Sequence, residues 1–176
     1  MRFAGWPVEA VEFYQGLEAD NSKTYWTAHK AVYEQSVYAP MAALVAELSD
    51  EFGAAHIFRP YRDVRFSKDK APYKLAIYAT LERGGYVGFR ATGLTAGRGY
   101  HRMESDQLSR YREAVAGETS GRELVAIVER LRAGQLSVAG SESLKSAPKG
   151  YPKDHPRIEL LRHKGLFTWR EWPVGR

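Results

Sequence analysis

The sequence contains no cysteine, which rules out a disulfide framework and any thiolate metal site. It has no apolar run near the ~20 residues needed to cross a bilayer. Glu9 and Glu12 interrupt the start where a secretory signal would need an unbroken apolar stretch. The chain is therefore expected to be soluble and cytoplasmic, with no membrane partner. Phosphate-loop, nucleophile-elbow and zinc-helix signatures are all missing. The nearest glycine pattern, Gly97-Arg98-Gly99, lacks a third glycine and reads as a turn. The five histidines (His29, His56, His101, His155, His163) show no ligand spacing, so neither a metal nor a cofactor is expected. His29, between Trp26 and Tyr33 on one helix face, reads as a core or interface histidine rather than a base.

What is present suits a folded domain. The chain has 176 residues, 44% of them hydrophobic and 27% charged, enough to bury a real core as a single domain. There is no repeat, low-complexity tract or linker. The net charge of +5 is unevenly spread. Residues 1–58 carry 3 Lys/Arg against 8 Asp/Glu, and residues 59–112 carry 12 against 5. Residues 113–144 carry 3 against 5, and residues 145–176 carry 8 against 3. Two basic stretches thus sit in an otherwise acidic chain. They either form a positive surface or pair with the acidic helices.

Periodicity predicts an α+β fold. A first helix starts at Pro7, with Val8, Val11, Tyr14 and Leu17 at helical spacing. Asp20, Asn21 and Ser22 offer caps for a second helix, which Pro40 is expected to break or kink. Met41, Leu44, Val45, Leu48 and Phe52 form the stripe of a third, stopped by Gly53. Residues 73–81 alternate as a strand, Gly84-Gly85 turns into Tyr86–Ala91, and Gly93–Tyr100 reads as a strand or loop. Helices follow at Ser105–Ala116 and after a Ser120/Glu123 capping box. A short helix after Asp154-His155-Pro156 runs to Gly165, and Leu166–Trp172 reads as a final strand. The expected architecture is an antiparallel sheet of about residues 57–100 plus a C-terminal strand, covered by N-terminal and C-terminal helices.

One segment stands out. Residues 59–74 read RPYRDVRFSKDKAPYK, with six basic side chains: Arg59, Arg62, Arg65, Lys68, Lys70 and Lys74. Read as a strand, it places Arg59, Asp63 and Arg65 on one face and Arg62, Val64 and Phe66 on the other. Arginine captures phosphate or carboxylate through two parallel hydrogen bonds, and lysine adds a mobile point charge. Asp63 and Tyr73 are the candidates for orienting this cluster. The alternative is a buried Arg–Asp network that ties the sheet to the helices, with carboxylates drawn from Glu12, Glu18 or Glu34.

Arg59, Arg62, Asp63, Arg65, Phe66, Lys70, Pro72, Tyr73 and Lys74 match every fixed position of R-x-x-R-D-x-R-F-x-x-x-K-x-P-Y-K. On these residues the chain resembles a bacterial family of conserved hypothetical proteins, a domain of unknown function. Trp6-Pro7, the Asn21-x-Lys23-x-x-Trp26 stretch with His29 and Tyr33, and GYPKDHPRIELLRHKGL extend the resemblance along nearly the whole chain. Members generally continue past the last strand, so this chain is expected to be a short or truncated member. The resemblance implies no reaction, ligand or catalytic residue.

A second basic patch is expected at Lys149, Arg157, Arg162, His163 and Lys164, beside Lys145 and Lys153. Asp154 would cap a helix whose free N–H groups face an anion. Equally, Arg162–Lys164 would simply sit well at a helix C-terminus. Three functions stay open. The first is a binding module whose Arg/Lys cluster captures a phosphate-bearing ligand, nucleic acid or a phosphorylated metabolite; the pI of about 9.4 suits a nucleic-acid binder. The second is an enzyme in which Asp63, Asp69 or His101 moves a proton on a phosphorylated or carboxylated substrate, although nothing nominates a nucleophile for His101. The third is a scaffold in which the motif is purely structural. The 11 Tyr and 4 Trp serve either as stacking platforms or as core.

Overall fold

A computed structural model describes residues 2–175. The described chain forms two compact units, residues 2–96 with 171–175, and residues 97–170. In the first, α1 (Val8–Ala19) begins at the extended Pro7, and α2 (Lys23–Val32) begins at Ser22, whose hydroxyl accepts the Tyr25 N–H. Pro40 does not break the next helix. A π-helical turn, Tyr33–Tyr38, joins α2 directly to α3 (Ala39–Phe52), and the Ala39 N–H reaches back to the Glu34 carbonyl. Proline lacks an N–H for the carbonyl four residues back and crowds it, and widening the preceding turn accommodates both defects. The Val37 carbonyl within this turn accepts the Trp6 indole N–H at 3.2 Å.

Strands β1 (Ala55–Ile57), β2 (Ala76–Leu81), β3 (Tyr86–Arg90), β4 (Gly93–Tyr100), β5 (Ser137–Ala139) and β6 (Leu166–Pro173) form one antiparallel sheet in the order β1-β2-β3-β4-β6-β5. Between β1 and β2, where the motif was expected to continue the sheet as a strand, the chain leaves it. Residues 58–75 form an irregular loop with a single bridge, Tyr61 to Tyr73. Arg59, Asp63 and Arg65 therefore do not share a strand face. Gly93 and Gly99 have positive φ, and the β6 backbone lies where a Cβ would stand. Only glycine permits so close an approach. The register of Ile77 with Phe89 and Ala79 with Val87 aligns the buried face of β2 and β3.

The core of the first unit is strongly aromatic. Phe13, Tyr14 and Leu17 of α1, Trp26 of α2, Tyr33 and Val37 of the π turn, and Met41 of α3 pack on Tyr73, Ile77 and Phe89. Helical and alternating stripes meet here, and each removes from water the face the other cannot cover. Leu75 departs from the alternation and is exposed.

The second unit has a smaller core of Val115, Val128, Leu160 and Leu161, flanked by Tyr111, Leu124 and Val138. Helix α4 (Ser105–Ala116) carries its capping box on Glu104 and Gln107. The box expected at Ser120 and Glu123 does not form. Helix α5 (Glu118–Ala133) starts earlier, and the Ser120 hydroxyl donates instead to the Ala114 carbonyl. Helix α6 is only Ile158–Arg162, capped by Arg157 rather than Asp154, because His155-Pro156 still lies in a turn.

Candidate functional site

The loop of residues 58–75 lacks regular structure, so specific groups must hold it. Asn21 does most of this. Its amide N–H donates to the Tyr73 carbonyl at 3.1 Å, and its oxygen accepts the Tyr73 N–H at 3.0 Å. One side chain thus serves as the strand partner that the Tyr73 backbone lacks. On either side of the Tyr61–Tyr73 bridge, the Arg62 N–H meets the Pro72 carbonyl and the Lys74 N–H meets the Pro60 carbonyl, both at 2.8 Å. The Tyr73 ring is 5% exposed and stacks on Trp26 at 4.4 Å between centroids. Its contribution to orienting the cluster is therefore made through the backbone and the core.

The motif side chains then diverge. Arg62 donates to Asp69 at 2.5 Å and to the Ala71 carbonyl at 3.1 Å, while Asp69 also accepts the Ala71 N–H. Asp69, not Asp63, is the carboxylate that positions Arg62. Asp63 instead takes a two-pronged bond from Arg65, at 2.9 and 2.7 Å, and its Oδ1 also accepts the Arg65 N–H. The Arg65 hydrogen bond holds Asp63 below the usual carboxylate range, and the Ala71 N–H does the same for Asp69, assisted by Arg62. Lys70 donates to the Val64 carbonyl at 3.0 Å. Lys74 reaches back to the Arg59 carbonyl at 2.9 Å and lies over the Phe58 ring; partial burial and the Arg59 charge lower its pKa. Arg59 and Lys68 are exposed, and among the described residues neither side chain has a hydrogen-bond or ion-pair partner. Phe66 is 96% exposed beneath the Arg65 guanidinium, 5.9 Å from it.

The six cations therefore do not converge on one pocket. Arg62 and Lys74 line a cleft of about 360 Å³ with Asn21, Asp69 and Arg90. Arg59 lines another, of about 510 Å³, whose other walls are mostly aromatic. Arg65, Lys68 and Lys70 lie on the exposed outer part of the loop. The Arg65–Asp63 pair is solvent-exposed and the Arg62–Asp69 pair half-exposed, and among the described residues no charged side chain is buried in the core.

The second basic patch lies in the other unit and has different geometry. Arg157 donates to the carbonyls of Val115, Ala116 and Gly117, at 2.6, 2.9 and 3.3 Å, and is 9% exposed. It closes the C-terminus of α4 and is not available to a ligand. Arg162 pairs with Glu159 at 3.2 Å, while its Nε is buried without a partner. Lys164 pairs with Glu142 at 2.8 Å. His163 shares a hydrogen bond of 2.6 Å with Ser143, and burial pushes its pKa down. Lys149 is exposed. The expected helix N-terminus is a five-residue helix whose cap is the engaged Arg157.

Among the described residues no group of three His, Asp or Glu is placed to hold a metal, and no helix is long and apolar enough to cross a membrane. Asn21 and Asp69 set the loop's geometry, whereas Asn21 was expected as a helix cap and Asp69 as a group that moves a proton.

The fold is an α+β protein with an antiparallel sheet, and its most distinctive surface is a clamped basic loop. The chain belongs to the family described as Conserved hypothetical protein (DUF2461), whose model matches residues 9–175. No curated protein and no solved structure matches it.

Proposed function

We propose that this protein is a binding module whose motif loop captures a phosphate-bearing ligand, and that single-stranded nucleic acid is the ligand class it suits best. The observation that carries this reading is the distribution of cations. Arg59, Arg65, Lys68 and Lys70 are spread along an exposed loop, interleaved with the exposed rings of Phe58, Tyr61 and Phe66. A single small phosphate is best held by groups converging on one pocket, whereas a chain of phosphates is tracked by charges strung along a surface, with bases stacking on aromatic rings. Arg59 and Lys68 have no hydrogen-bond or ion-pair partner among the described residues, and Asp63 orients Arg65 in an exposed pair without enclosing it, so an anion can approach all three. Asp63 and Asp69 are held ionised beside arginines, which suits them to orienting those cations better than to moving protons.

Fluorescence anisotropy with a labelled twelve-nucleotide single strand tests the reading. Affinity should fall with salt, with a log–log slope of about −3 for four phosphate contacts. Replacing Arg59 and Lys68 together by Ala should make the slope shallower by about 1.4. A salt-insensitive affinity would point to a small phosphorylated ligand instead. No binding at low salt would sink the proposal.

A further inference from the structure

The cleft beside Arg59 has a composition that folding alone does not require. Its volume is about 510 Å³, within the range of small-ligand sites. Its deeper wall is Trp26 and Tyr33, both core residues with their other contacts inside the protein. Its mouth is formed by Tyr38, Phe58 and Tyr61, which are 44%, 38% and 48% exposed. Large rings left half in water forgo much of the stabilisation that burial would supply, and three of them around one opening make an unfilled apolar surface of planar groups.

Charge narrows the choice of occupant. Arg59 lies in the same wall with no ion pair or hydrogen bond from its side chain among the described residues, and Lys30, paired at 3.6 Å with Glu34, is exposed and lines the same cleft. A purely apolar occupant would use the rings alone and leave the exposed Arg59 guanidinium to water. A planar ring attached to a phosphate uses both features, the ring against the tyrosines and the phosphate on the guanidinium. The Lys30–Glu34 pair adds a donor and an acceptor at the mouth for the polar edge of such a ring.

We infer that this cleft is a subsite for one unstacked nucleobase, whose adjoining phosphate is held by Arg59. The inference rests on the reading of the motif loop as a phosphate-binding surface and adds where a base leaves the strand. Tyr61 belongs to both parts. Its backbone bridges Tyr73 within the clamped loop, while its ring lines the cleft, so the clamp that shapes the basic loop also places this ring. Because every base has a π face, the subsite is expected to tolerate different bases.

The test compares a twelve-nucleotide thymidine strand with a fully abasic strand of equal phosphate count, for the unaltered protein, Tyr61→Ala and Tyr38→Ala. The thymidine strand is expected to bind about five- to 150-fold more tightly than the abasic one, the range spanned by loss of one base stack. Each variant should lose most of that preference while keeping the salt slope of the abasic strand. Two half-exposed positions guard against one variant failing to fold, and circular dichroism checks both. Equal affinity for the two strands would overturn the base subsite and leave the phosphate surface standing. A base preference untouched by both substitutions would place the base elsewhere and equally overturn it. Binding of neither strand would remove the phosphate reading and this inference with it.

Discussion

The two basic stretches of this chain are similar in composition, but their arginines meet different partners, mostly carboxylates in the first and helix-end carbonyls as well as a carboxylate in the second. In residues 59–74, four of six cations lie on an open loop, and two of these have no partner among the described residues. In residues 145–164, Arg157, Arg162 and Lys164 are each spent on a partner inside the same unit: helix-end carbonyls, Glu159 and Glu142. Charge density alone does not distinguish a solvent-facing cation from one spent on internal wiring. Whether backbone carbonyls and carboxylates already occupy the donors does. The loop is held by an amide, Asn21, and by a buried tyrosine, and two of its six cations, Arg59 and Lys68, have no hydrogen-bond or ion-pair partner among the described residues.

Four experiments would break or sharpen this contrast. The largest effect is expected at Arg157. Arg157→Ala strips three carbonyls at the end of α4 of a charged donor in a nearly enclosed site, and should cost about 3–5 kcal/mol in a denaturant titration. A loss below about 1 kcal/mol would mean that Arg157 is not the structural member of the pair. Next is Asn21→Ala, which removes both hydrogen bonds to Tyr73. A loss of about 2 kcal/mol is expected, together with faster amide exchange across residues 61–74. Unchanged exchange there would show that the loop holds its shape without the clamp.

The third concerns His163. Burial lowers its folded pKa, so the unfolded chain takes up a proton first as pH falls past the ordinary value near 6.5. Stability of the second unit should therefore decline from pH 7 toward pH 5, and His163→Gln should flatten that slope. An unchanged slope would assign the pH dependence to another group. The smallest effect is expected at Asp63. Its pair with Arg65 is exposed, so Asp63→Asn should leave the neutral-pH melting temperature unchanged within error while weakening oligonucleotide binding. Depressed carboxylate pKa values stabilise the fold above their ordinary value near 4 and lose that contribution as pH falls through the folded pKa. The Asp63→Asn, Asp69→Asn double variant should therefore show a shallower acid limb. A large loss of stability at neutral pH would make the loop a structural network after all.

Local patterns were enough for most elements. Pro7, Ser22, Gly53 and the turn at Gly84-Gly85 mark boundaries because each acts through its own backbone geometry or hydrogen bonding to near neighbours. The stripes of α1 and α3 and the alternation of β2 report which faces must leave water, which is also local information. The density of basic residues marked the unusual loop, and the family resemblance along the chain agrees with the family to which it belongs.

Other features depended on partners distant in sequence. Pro40 was absorbed by a π turn because the helix on both sides is anchored to one core. The motif left the sheet because Asn21, 52 residues before Tyr73, supplies that residue's hydrogen bonds. Arg157 became internal because α4's last carbonyls, about 40 residues earlier, face it. Sequence alone determined the helical and strand stripes, the loop's charge and the family. Tertiary structure alone decided which arginines remain free, because a cation's availability depends on the acceptors that folding brings within hydrogen-bond reach, and those acceptors come from remote parts of the chain.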